Sequence, residues 1–134
     1  MRIDILTLFP EMFDGVLSAS MLGRAQTNGR LDIRVHNIRD YTDNKHRKAD
    51  DYPFGGGAGL VMMAQPIYDC MGAVLEGGKA RRILMTPRGR TLNQKIAKEL
   101  SGEERIVLLC GHYEGVDERV MEIIDDEISV GDYV

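Results

Sequence analysis

The chain has 134 residues, 43% hydrophobic and 28% charged, with a net charge of −4, enough for one compact domain that needs no disulfide or metal staple. No apolar run reaches the roughly 18–20 residues of a membrane-spanning helix, and Asp4 interrupts the stretch that a signal peptide would keep apolar. The acidic balance disfavours a general nucleic-acid coat protein, though it leaves room for a local basic patch.

Arg2–Leu8 alternates and then runs apolar, which predicts a first strand. Pro10 offers the first position of a helix, with Met12, Phe13, Val16 and Leu17 following at helical spacing. A second short helix is expected over Ser20–Gln26, closed by Asn28-Gly29, and a strand over Leu31–Val35. From Asn37 to Gly59 the pattern disappears, and loops of that length in compact domains tend to be functional or mobile. This one carries Lys45-His46-Arg47-Lys48, Asp50-Asp51 and Gly55-Gly56-Gly57-Ala58-Gly59. Leu60–Met63 suggests a short strand. Ile67, Cys70, Met71, Val74 and Leu75 then mark a helix that starts near Pro66 and is ended by Gly77-Gly78. Arg82–Thr86 predicts another short strand. Thr91-Leu92-Asn93-Gln94 fits a capping box, opening a helix with Leu92, Ile96 and Leu100 on one face and Gly102 as its stop. Ile106–Cys110 is a continuous apolar run, as expected of a strand covered on both faces. Val116–Ile124 predicts a helix and Ile128–Val130 a last strand. Strands alternating with helices imply an α/β domain with a mainly parallel sheet flanked by helices.

Cys70 and Cys110 match no ligand or redox spacing and lie in apolar stretches, so both are expected to be small buried hydrophobes in a reducing compartment. The eight methionines are expected to fill core. His36 and His46 show no ligand spacing, so no metal site is expected. Of the 15 glycines, several fall directly after predicted strands. Thr86-Pro87-Arg88-Gly89-Arg90, Gly111-His112-Tyr113-Glu114-Gly115 and Ser129-Val130-Gly131-Asp132-Tyr133 occupy the strand ends where open α/β sheets bind ligands. Neither GxxxxGK[ST] nor a GxGxxG after the first strand occurs, so a phosphate-gripping site is not indicated. The three loops suit an adenine or amino-acid moiety held through backbone groups.

Four stretches carry a family resemblance: Ile5–Phe13, Asp50–Gly59, Gly111–Arg119 and Ser129–Val134. In their order and content the chain resembles the bacterial tRNA (guanine-N1)-methyltransferases of the SPOUT, trefoil-knot class. The resemblance implies an S-adenosylmethionine site in the three loops, using Pro87, Gly89, Gly111, Tyr113, Glu114, Gly115, Ser129, Val130, Gly131, Asp132, Tyr133 and Val134. Glu114 and Asp132 would hold the cofactor or favour its positive sulfonium. The RNA-facing set would be Lys45, Arg47, Asp50, Gly55, Gly56, Gly57 and Gly59, with Arg88 and Arg90 adding to that surface; His112 is given no chemistry.

The implied reaction transfers a methyl group to N1 of the guanine 3′ of the anticodon, leaving S-adenosylhomocysteine. tRNA would be the substrate and a homodimer the working form, in the cytoplasm and away from membranes; the need for Mg2+ stays open. The resemblance further implies that residues 1–134 are an N-terminal S-adenosylmethionine-binding domain, truncated so that its knot is incomplete and its C-terminal tRNA-binding domain is absent. It places the general-base Asp beyond Val134, so no catalytic residue is expected in this chain. The residues also permit a non-catalytic module that binds an adenine ligand or RNA, or another SPOUT methyltransferase acting on rRNA.

Overall fold

The computed structural model describes residues 1–53, 55–57 and 59–133. Its centre is a five-stranded parallel sheet in the order β2-β1-β6-β5-β7, with β1 Arg2–Thr7, β2 Asp32–Asn37, β5 Arg81–Thr91, β6 Arg105–Cys110 and β7 Asp126–Ser129. Parallel neighbours need crossover connections, and helices supply them. α1 (Asp14–Ser18) and α2 (Ser20–Thr27) join β1 to β2, and α4 (Gln94–Ser101) joins β5 to β6. α3 (Ala64–Leu75) precedes β5. A separate antiparallel pair, β3 (Asp50–Asp51) with β4 (Val61–Met62), closes the long glycine loop.

The two-residue period of β6 sorts its apolar side chains between two cores. Val107 and Leu109 pack with Leu6, Leu84 and the inner face of α3, including Ile67, Cys70, Met71 and Val74. Ile106 and Leu108 belong with Ile83, Ile128 and α4, through Ile96 and Leu100. From Ile106 to Cys110 the central strand is thereby apolar, as a strand with two covered faces must be. Among the described residues no helix is long and apolar enough to cross a membrane.

Several elements differ from the sequence expectation. The Asn37–Gly59 segment opens with a 3-10 turn, Ile38–Tyr41, whose Ile38 is fully buried, and Ala49 is buried as well. β5 runs on through Pro87 to Thr91 instead of stopping at Thr86. α4 is capped by Asn93, whose side chain accepts from the Ile96 amide, while Thr91 is still in β5. Val116–Ile124 forms only a 3-10 turn over Glu118–Ile123. The segment after Pro10 is a 3-10 turn, Pro10–Phe13, followed by the short α1. Its apolar stripe is not covered, for Met12 is 74% and Val16 65% exposed. Met62 and Met71 fill core as expected, but Met12 and Met21 do not.

Among the described residues two carboxylates are buried, Asp4 and Asp117. Asp4 of β1 is fully buried and meets His36 at 2.8 Å, Arg2 at 3.0 Å and Arg105 at 3.2 Å. Arg105 also donates to the carbonyls of Val74 and Leu75, so the same guanidinium closes the carbonyl end of α3, where positive charge is favoured. Burial opposes ionisation of Asp4, but the hydrogen bonds from His36, Arg2 and Arg105 outweigh it and hold its carboxyl below the ordinary value. A carboxyl with a lowered folded-state pKa stabilises the fold above its unfolded pKa, and that stability is lost as pH falls through the folded value. Asp4→Asn is therefore expected to lower stability at neutral pH by about 3 kcal/mol, the low end for a broken buried pair because the cations keep some solvent access. It should also flatten the loss of stability below about pH 4. Denaturant titrations across that range measure both.

Candidate functional site

The parallel sheet aims the middle of β5 and the end of β6 at one cleft of about 540 Å³, lined by Leu84–Arg88, Gly111–Arg119, Pro53 and Val61. In β5 the ladder to β7 slips: Met85 and Arg90 both stand opposite Ile128, so the intervening residues bulge outward. Pro87 lacks the amide needed to continue a ladder, which suits it to the bulge. Gly89 lets the strand return, since a Cβ there would lie 2.5 Å from the backbone C of Glu127 and N of Ile128. On the bulge, Arg88 pairs with Glu127 at 3.1 Å and Glu118 at 3.8 Å.

After Cys110 the chain leaves the sheet in a tight turn, with the Gly115 amide donating to the His112 carbonyl at 3.1 Å. Tyr113 takes φ +55°, a strained value for a residue with a side chain, and Gly115 takes φ +129°. The turn is then stitched to the strand β4. Glu114 N donates to Leu60 O at 3.0 Å, Met62 N to Gly115 O at 2.9 Å, and Asp117 N to Met62 O at 2.9 Å. Phe9, at the end of β1, meets His112 edge-on at 4.9 Å, and His112 meets Tyr113 at 4.6 Å.

The charged lining is largely self-paired. Asp117 is buried, caps the 3-10 turn through the Arg119 amide, and holds the Arg119 guanidinium at 2.9 and 2.6 Å. That charged hydrogen bond lowers the Asp117 pKa below its ordinary value. Tyr68 of α3 donates to the Arg119 carbonyl at 2.5 Å, fixing the turn to the helix. Glu114 has no ion-pair partner among the described residues. Among the described residues its carboxylate is the lining charge without an ion pair.

The structure brings Pro87, Gly111, Tyr113, Glu114 and Gly115 into this cleft. Gly89 faces the other side of the bulge, against β7. Ser129, Val130, Gly131, Asp132 and Tyr133 do not line the cleft. Ser129 Oγ donates to Gly131 O at 2.8 Å, its carbonyl accepts from Leu92 N at 2.8 Å, and Val130 and Tyr133 are exposed. Val134 lies outside the described residues. In the RNA-facing set, Lys45 is exposed and Arg47 pairs with Asp40. Asp50 stands opposite Met62 in the small sheet. Gly55, Gly56, Gly57 and Gly59 all have positive φ in the loop beside Glu114. Arg90 is engaged by Asp126 at 2.5 Å and Glu99 at 3.3 Å, which offsets its charge as a phosphate contact.

The sequence reading gave no role to Asp117 or Arg119, although an Asp two residues before an Arg at a helix start is a recognisable capping pattern. Cys70 is buried as expected but Cys110 is only half-buried, and burial pushes the thiol of Cys70 up to about 12 and that of Cys110 up to about 11, so both stay protonated near neutral pH. Among the described residues no group of three His, Cys, Asp or Glu side chains is placed to hold a metal ion.

Residues 1–134 match the family model described as tRNA (Guanine-1)-methyltransferase TrmD. The tRNA (guanine-N(1)-)-methyltransferase of Ruminiclostridium cellulolyticum is 56% identical over 137 residues, covering all of this chain and 59% of its own length. That of Clostridium perfringens strain 13 is 59% identical over 134 residues, covering all of this chain and 56% of its own length. The crystal structure of the tRNA (m1G37) methyltransferase from Aquifex aeolicus superposes with a TM-score of 0.90 at 38% identity, over all of this chain and 61% of that one. The chain thus spans somewhat more than half the length of the relatives it matches.

The contact at Gly89 yields a direct test. Gly89→Ala should force β5 and β7 apart and cost about 1–3 kcal/mol as an overpacked site. Thermal unfolding of the variant against the parent protein measures the loss.

Proposed function

The chain belongs to the tRNA (guanine-1)-methyltransferase family, and from that premise we propose that it forms the S-adenosylmethionine-binding part of an enzyme that methylates N1 of the guanine 3′ of the anticodon in tRNA. The match of the family model to the whole chain carries the proposal. The cleft fits such a cofactor. Its volume of about 540 Å³ falls in the range of roughly 300–1,000 Å³ usual for small-molecule sites. Leu84, Met85, Pro87 and Val61 give it apolar walls, Gly111 and Gly115 keep backbone groups accessible, and Glu114 adds negative charge.

When bound, S-adenosylmethionine supplies a methyl group made electrophilic by a positive sulfonium. In this reading Gly111, Tyr113, Glu114 and Gly115 hold and orient the cofactor beside Pro87. Gly89 shapes the bulge that presents Pro87. Ser129, Val130, Gly131, Asp132 and Tyr133 join the set on the family resemblance. Glu114 favours a cationic sulfonium over the neutral thioether of the product. N1 of guanine carries a proton that a general base must accept, and no residue of this chain is assigned that role. The target base must also leave the anticodon-loop stack, and the exposed Lys45, with Arg47, Asp50 and the glycine loop, would face that RNA in the cytoplasm.

The exposed Met12, Val16 and Met21 form apolar surface on and beside α1 and α2, which supports association with a second copy.

The full-length protein is expected to transfer labelled methyl from S-adenosylmethionine to undermethylated tRNA and not to rRNA. Absence of transfer, with no calorimetric affinity for the cofactor, would overturn the reading in favour of a binding module. Glu114→Gln should lower the preference for S-adenosylmethionine over S-adenosylhomocysteine by about 5- to 30-fold, the equivalent of one or two kcal/mol for a charge in a partly enclosed site. Val16→Asp in the full-length protein should shift sedimentation from dimer towards monomer.

A further inference from the structure

Gly55, Gly56, Gly57 and Gly59 take φ of +86°, +95°, +132° and +80°, so each is favoured as glycine on backbone grounds. At Gly59 a second reason is present. A Cβ there would lie 2.5 Å from Glu114 Cγ, 3.2 Å from Cδ and 3.4 Å from Oε1. Nothing lies within 4 Å of a Cβ built at Gly55 or Gly56, and Gly57 would meet only the Pro53 ring, at 3.6 Å. Of these four glycines, Gly59 alone touches the cleft carboxylate.

The backbone on both sides of this contact is pinned. The Glu114 amide donates to the carbonyl of Leu60, the residue next to Gly59, and Met62 donates to Gly115. An added carbon at residue 59 therefore cannot be relieved by parting the two segments without losing those hydrogen bonds. Turning the exposed Glu114 side chain costs less, and that turns its carboxylate away from its present direction.

We propose that Gly59 is a positioning residue for Glu114: its missing side chain seats the carboxylate in the cleft and ties the carboxylate's direction to the glycine loop between β3 and β4. The inference rests on the reading of Glu114 as the charge that favours the sulfonium of S-adenosylmethionine. A consequence is that displacement of the glycine loop, as by RNA held against it, reaches the cofactor cleft through this contact.

The test is a double-mutant cycle on the full-length protein, with calorimetric affinities for S-adenosylmethionine and S-adenosylhomocysteine. Gly59→Ala should reduce the preference for S-adenosylmethionine by about fivefold or more in the presence of Glu114, and by less than about twofold in a Glu114→Ala background. Gly59→Asn carries the same extra carbon with less backbone strain, since Asn tolerates positive φ, and should behave alike; melting temperatures report the strain separately. A preference unchanged by either substitution, or reduced equally in both backgrounds, overturns the proposal while leaving the cofactor reading intact. A wild-type protein without affinity for S-adenosylmethionine overturns both.

Discussion

The cleft depends on what the chain does after Cys110, where the central strand of the sheet runs out. A segment leaving β6 must find partners for its amides and carbonyls, and β4 provides them. Leu60 and Met62 pair with Glu114, Gly115 and Asp117 as though a further strand had been laid across the top of the sheet. Each such bond is worth only about 1 kcal/mol net, but together they leave the turn one path. Tyr113 and Gly115 absorb the geometry in their positive φ values. The glycine loop is thereby brought beside Glu114, although 55 positions separate Gly59 from it in the sequence. The long stretch without periodicity is one arm of the site.

The opposite wall is set by a different device. β5 has to pair with β6 along one side and β7 along the other, yet present a ligand-facing loop partway along its length. It does so by bulging between Met85 and Arg90 and resuming its pairing with β7. Pro87 and Gly89 are both required, for opposite reasons. Pro87 cannot supply a ladder hydrogen bond, whereas Gly89 allows an approach to the β7 backbone that any side chain would block. Beyond the bulge, Asp126 binds both Arg81 and Arg90, and Glu99 of α4 joins them. Exposed pairs of this kind contribute little individually. Their value is to hold the edge strand and α4 against the resumed part of β5.

Much of this was legible in the sequence because one face or two faces of each element are covered by neighbours of regular geometry. The stripe of Ile67, Cys70, Met71, Val74 and Leu75 gave α3, and the unbroken run Ile106–Cys110 gave the central strand. Gly111 and Gly115 after β6 lie in the cleft, whereas Gly89 and Gly131, at the other two strand-end loops, do not line it. The misses have physical causes. Pro87 reads as the end of a strand because proline terminates ladders, and only a bulge makes it internal. Val116, Val120 and Ile123 recur at spacings of four and three, yet Val116 is bridged to Met62 of β4 and only Val120 and Ile123, three apart, share the 3-10 turn. The stripe of Met12 and Val16 was real, but periodicity does not say what covers it. Asp117 and Arg119 carry no ligand spacing in the sequence, and only their mutual pairing places them together in the wall of the cleft.

The electrostatics of that wall follow from which charges already have partners. Arg119 is held by Asp117, and Arg88 by Glu127 and Glu118, so each guanidinium at the rim brings its own carboxylate. A cleft with unpaired arginines would attract phosphate or carboxylate groups into the space proposed for the cofactor. Here the pairing cancels that attraction and leaves Glu114 as the charge without a partner among the described residues. A partly enclosed site with excess negative charge draws a cation more strongly than the same charge would in bulk solvent. A sulfonium is such a cation, and loss of its methyl group abolishes its charge. On the proposed function, the arrangement that favours binding before transfer would weaken it afterwards, and the same carboxylate would serve both affinity and release. Its direction would have to be fixed for that discrimination to work, and the bare backbone at Gly59 is the contact proposed to fix it.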